Sequence, residues 1–144
     1  MIIINMPGGA VEFIGEKDLL WMRKAFPDER KDAIMLRVGS DRIYSIESLD
    51  DLRAKFAQAK VPIADFTPPE GKLTMVVNVA NVEAVEPGNP IIFHEKARAL
   101  LRFSRKVKLA VRETEAEAKA KIAAAQPPPR PRIAGAARAR ARNA

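Results

Sequence analysis

A Pro-x-Gly turn occurs twice in this chain, at Pro7-Gly8-Gly9 and at Pro69-Glu70-Gly71, 62 positions apart. The residues after each turn recur too. Leu36, Val38, Tyr44 and Ile46 return as Leu101, Phe103, Leu109 and Val111 at an offset of 65, and Ser48 and Asp51 return as Thr114 and Glu117 at 66. The offset drifts by only four residues across the whole unit, so the body reads as two copies, residues 1–60 and 61–125. A unit of about 60 residues buries little surface by itself. The duplication therefore predicts an intramolecular pseudo-dimer whose copies share one core.

Within the first copy, Ile2–Ile4 and Val11–Ile14 flank the Pro-Gly turn as two strands. Leu19–Met22 reads as a third strand or a helical turn, and the charged stretch 27–31 as a loop. Ile34–Val38 and Ile43–Ile46 alternate as a hairpin. A three-residue turn at Gly39-Ser40-Asp41 would place Leu36 opposite Tyr44 and Ile34 opposite Ile46. Ser48 with Asp51 resembles a capping box, a signal worth ~1 kcal/mol, and opens a helix with Leu49, Leu52 and Phe56 on one face. In the second copy, Ile63–Phe66, Leu73–Val79, Val82 with Val85, the 99–111 hairpin and a helix after Thr114 repeat this order. The fold class expected is α+β, mainly β. Trp21, Phe13, Phe56, Phe66, Phe93 and Phe103 are its expected core aromatics.

Each unit resembles the short flagellar FlbD-type proteins. The resemblance rests on Met1-Ile2-Ile3-Ile4, Gly8-Gly9, Phe13, Ile34-Met35-Leu36, Gly39-Ser40 and Ile46-Glu47-Ser48 in the first copy. In the second it rests on Val77-Asn78, Val82-Glu83, Val85-Glu86 and Val111-Arg112-Glu113-Thr114. It covers nearly all of the body and implies a non-catalytic accessory or assembly protein. It transfers no functional residues.

There are no cysteines, which excludes disulfides, thiol catalysis and cysteine metal sites. The apolar run Ile2–Ile4 is too short for a signal-peptide core, and nothing approaches the ~20 apolar residues of a membrane span, so a cytoplasmic protein is expected. His94 is the single histidine, no ligand spacing is present, and no nucleophile has an evident base nearby. The expectation is therefore no enzyme activity, no cofactor, no metal, no small-molecule substrate and no membrane partner.

The net charge of +7 is unevenly spread. Residues 126–144 hold five arginines and no acid, whereas the other 125 residues hold 20 basic and 18 acidic side chains. That Pro/Arg/Ala-rich tail lacks any apolar pattern for a core and is expected to be disordered. Its arginines, Arg130, Arg132, Arg138, Arg140 and Arg142, are candidate contacts for phosphate or an acidic protein surface. Its Pro127–Pro131 stretch also resembles a polyproline ligand, a weaker third alternative.

The second hairpin is the other candidate site. Between Lys96 and Arg112 lie seven basic residues and no acid. A three-residue turn at 104–106 puts Ala99, Leu101, Phe103, Val107, Leu109 and Val111 on one face. Arg98, Arg102, Lys108 and Arg112 then share the other, with Arg105 and Lys106 in the turn. Like charges opposite one another are mildly destabilising. Either an external anion relieves that strain or acids such as Glu83 and Glu86 on a neighbouring strand do, and the sequence weighs the two equally.

These features are compatible with two functions. The first is a structural or assembly protein of a larger particle, a virion or a flagellar apparatus, with protein partners and the tail as an anchoring arm. The second is a nucleic-acid-binding accessory protein that uses the basic hairpin and the tail through weakly specific phosphate contacts.

Overall fold

The computed structural model describes residues 1–89 and 94–126. In chain order they form β1 (Ile2–Asn5), β2 (Val11–Ile14), β3 (Leu19–Lys24), β4 (Ile34–Val38), β5 (Asp41–Ser45) and α1 (Leu49–Gln58). The second half adds β6 (Ile63–Phe66), β7 (Met75–Asn78), β8 (Ala84–Pro87), β9 (Ala99–Arg102), β10 (Lys108–Val111) and α2 (Glu115–Ala125). The ten strands make three antiparallel sheets, β1-β2, β10-β9-β8 and the five-stranded β5-β4-β3-β7-β6.

The five-stranded sheet is the middle layer, apolar on both faces. Successive side chains on a strand point to opposite faces. Met22, Leu36 and Val76 accordingly face one core, with Ile2, Ile4 and Ile14 of the β1-β2 ribbon and Leu52 and Phe56 of α1. Trp21, Met35, Met75 and Val77 face the other, with Ala99, Leu101 and Val111 of the third sheet and Ala118 of α2. A register shift between Leu19 and Trp21 lets Leu19 join Met22's side despite the odd spacing. The two halves of the chain meet where β3 pairs with β7, with Trp21 opposite Val77, Met22 opposite Val76 and Arg23 opposite Met75.

The Pro-Gly turns need left-handed backbone, and Gly9 (φ 80°) and Gly71 (φ 76°) supply it. The third patch, Leu19–Met22, is a strand rather than a helical turn. The register of the 99–111 hairpin is as expected, with Lys108 opposite Arg102 and Leu109 opposite Leu101.

Two expectations need correction. The first hairpin turns in two residues, Gly39-Ser40, because Asp41 joins β5, so Leu36 pairs with Ile43 and Ile34 with Ser45. That one-residue shift moves Tyr44 to the opposite face, opposite Met35. Phe13 is not a core aromatic. It lies on the outer face of the ribbon opposite Ile3 and is 57% exposed. Trp21, Phe56, Phe66 and Phe103 are buried, and Phe93 lies outside the described residues.

Candidate functional site: the basic hairpin and its surroundings

The β9-β10 hairpin places its basic residues as the alternation requires, but two of them have partners inside the sheet. Arg102 donates from Nε to Glu83 (3.1 Å) and from Nη1 to Glu86 (2.8 Å), and Lys108 Nζ lies 2.9 Å from the other Glu86 oxygen. The Lys108 contact, aided by Arg102, holds the Glu86 carboxyl below its ordinary range. The repulsion between Arg102 and Lys108 is thus relieved by β8 itself. Arg98, Lys106 and Arg112 are exposed and make no ion pair among the described residues. The Arg112 guanidinium lies against the Pro68–Gly71 turn. The tail candidates Arg130, Arg132, Arg138, Arg140 and Arg142 lie outside the described residues.

More ordered electrostatics lie elsewhere. Glu29, on the β3-β4 loop, accepts from Arg23 (2.7 Å), from the Tyr44 hydroxyl (3.2 Å) and from the Phe26 N–H (2.8 Å), with Arg42 at 3.6 Å. The Arg23 hydrogen bond is the main reason its pKa falls to about 2. Arg23 is almost wholly buried and stacks 3.8 Å over the Phe26 ring centre. This cluster pins the loop to the sheet. It borders a cleft of about 280 Å³ between β3, the Pro68-Pro69 turn and β10, whose lining includes Trp21, Met75, Leu109 and His94.

Two further carboxylates form matching clasps. Glu47 accepts from the Asn5 N–H (3.0 Å) and meets Lys55 at 2.7 Å, while Lys55 donates to the Ile3 carbonyl (2.7 Å). Glu113 accepts from the Thr67 N–H (3.1 Å) and meets Lys121 at 2.8 Å, while Lys121 donates to the Asp65 carbonyl (2.7 Å). The backbone repeats the pattern, with Ile46 N–H donating to Asn5 O and Arg112 N–H to Thr67 O. Burial opposes ionisation of both carboxyls. The lysine and the backbone N–H outweigh it, and both pKa values are lowered. Each clasp ties a helix to a strand edge, α1 to β1 through Ile3 and α2 to β6 through Asp65.

These clasps and the Glu29 cluster escaped sequence reasoning, although a signal for the clasps existed. Glu47 and Lys55 recur as Glu113 and Lys121 at the same offset of 66 as the cap residues. Among the described residues no group of three His, Asp or Glu is placed to hold a metal ion, and no helix is long and apolar enough to cross a membrane. No protein-family model, curated protein or solved structure matches this chain.

Proposed function

We propose that this chain is a non-enzymatic structural or assembly protein of a larger complex, such as a virion or a flagellar-type particle assembled in the cytoplasm. Its body is two copies of one FlbD-like unit packed together through β3 and β7, and its basic tail is an anchoring arm. The observation that carries this reading is the pair of clasps. Atoms of Glu47, Lys55, Ile3 and Asn5 are replaced one for one by those of Glu113, Lys121, Asp65 and Thr67. Coincidence does not readily produce four matched partners and a left-handed glycine in the same place in each turn. Ionisable groups with shifted pKa values, which in an enzyme often mark the reacting site, are here spent on holding strands, a loop and helix ends.

The test is co-sedimentation of the full chain with particles from its native source, with and without residues 127–144. Recovery in the particle fraction that drops when the arm is deleted is the expected result. A chain that never leaves the soluble fraction refutes the reading.

One observation favours the second reading, a phosphate-directed accessory protein: Arg98, Lys106 and Arg112 remain exposed beside the ion-paired Arg102 and Lys108. Binding to duplex DNA or RNA that weakens steeply with salt and is lost on deleting the tail would select it. No binding at low salt removes it.

A further inference from the structure

Sheet pairing between the halves is one-sided. β3 is paired on both edges, by β4 and β7, and β7 by β3 and β6. Among the described residues β2 pairs only with β1, and β8 only with β9. On the duplication reading these four strands are two equivalent pairs. Ile3 and Asp65 hold matching places, because their carbonyls accept from the two clasp lysines. Their cross-strand partners are Phe13 and Val76, so β2 corresponds to β7. Leu36 and Leu101 correspond, and their cross-strand partners are Met22 and Val85, so β8 corresponds to β3. The inner junction joins β3 of the first copy to β7 of the second. Among the described residues the chain therefore leaves one edge of each kind unpaired, β8 and β2.

We infer that a second copy of this chain docks head to tail, its β2 pairing antiparallel with β8. Transferring the inner register sets Ile14 opposite Ala84, Phe13 opposite Val85 and Glu12 opposite Glu86. Phe13 is 57% exposed, whereas Val76, in the equivalent place at the inner junction, is fully buried. Exposed apolar side chains on a bare strand edge are a template for pairing. Pro87 has no N–H to donate and leaves Ala84–Glu86 as the usable edge, three residues, the same overlap as the three pairs of the inner junction. Because the two edges are different surfaces, the contact is heterologous, and repetition gives a ring or a filament.

The outer junction is weaker than the inner one for two reasons. At the inner junction the Asn78 side chain donates to Leu19 O (3.1 Å), and that of Asn81 donates to Leu19 O (2.7 Å) and Lys17 O (2.8 Å). Their counterparts 63 positions earlier are Gly15 and Asp18, which have no amide side chain to offer. Glu12 opposite Glu86 also adds an unbalanced carboxylate to the charge-balanced Glu83, Glu86, Arg102 and Lys108 group, where Arg23 meets Met75 inside.

Sedimentation velocity of the full chain, from micromolar to several hundred micromolar, tests this inference, which rests on the duplication. The wild type is expected to show a sedimentation coefficient that rises with concentration. Glu12→Met should move that rise to about fivefold lower concentration by removing the unbalanced carboxylate from the junction, and Phe13→Lys should abolish it. Both residues are exposed, so both variants should keep the wild-type melting transition. Deleting residues 127–144 should leave association intact, which separates it from any property of the arm. A Glu12→Met chain that stays monomeric throughout, or association that survives Phe13→Lys, overturns the inference. Neither result bears on co-sedimentation with a larger particle.

Discussion

Each of the two helices is clasped to a strand by a Glu-Lys pair, but the two are held by different forces. α1 buries Leu52 and Phe56 completely in the core beneath the β1-β2 ribbon. α2 is alanine-rich and buries only Ala118, with Ile122 and Ala125 partly covered. Its N-terminus is the better capped. Thr114 accepts from the Glu117 N–H (3.2 Å) and Glu117 accepts in return from the Thr114 N–H (2.9 Å), whereas at α1 only the Ser48 hydroxyl acts, accepting from Asp51 (3.1 Å). The clasp carboxylate beside α2, Glu113, is also the more buried of the two. A helix with little apolar surface to bury is anchored by polar contacts at its ends, and one with a large apolar face needs them less.

The sharpest way to break that comparison is to delete core volume on each side. Phe56→Ala should cost about 3–5 kcal/mol in urea unfolding, and Ile122→Ala about 1 kcal/mol. Equal losses would mean that both helices depend on packing. The clasps should rank the other way. Glu113→Gln should cost about 2 kcal/mol, the scale of hydrogen bonds to a charged group, and Glu47→Gln about 1 kcal/mol. A larger loss at Glu47 would reverse the assignment. Among the caps, Thr114→Ala should cost about 1 kcal/mol and Ser48→Ala about half that, read from the same denaturation curves.

Acid should act on both helix clasps, on the β3-β4 loop and on β8 through their carboxylates. Glu29, Glu47, Glu86 and Glu113 all have pKa values lowered from 4.5, Glu29 to about 2. A carboxyl whose folded value lies below its unfolded value stabilises the fold above the unfolded value and loses that contribution as pH falls through the folded one. Stability should be level above about pH 5 and decline between about pH 4.5 and 2. Glu29→Gln should flatten the lower part of that decline, and a thermal-melt series against pH reads it directly.

Element order, caps and the 99–111 register were legible because each rests on local chemistry. Pro and Gly mark turns, Ser and Thr start helices, and the outer face of β9-β10 is polar enough to define its alternation. The first hairpin slipped by one residue for a physical reason. Its sheet is covered on both faces, so Ile43 and Tyr44 are equally apolar and the pattern does not choose between them. Phe13 is exposed for a different reason: the β1-β2 ribbon is covered on one face only, Ile2-Ile3-Ile4 is apolar on both, and only the tertiary structure selects Ile2 and Ile4. The basic hairpin illustrates a different limit. Its residues were legible and their geometry was right, but whether Arg102 and Lys108 face solvent ions or Glu83 and Glu86 depended on where β8 lay.

The clasps and the inner junction differ in how much of the chain each one needs. Lys55 reaches back 52 residues to Ile3, so every partner of the first clasp lies within the first half of the chain. β3, by contrast, has its second neighbour in the other half, at Met75–Val77 of β7. The first half taken alone would leave one edge of β3 unpaired, and an unpaired apolar strand edge is a site for mispairing.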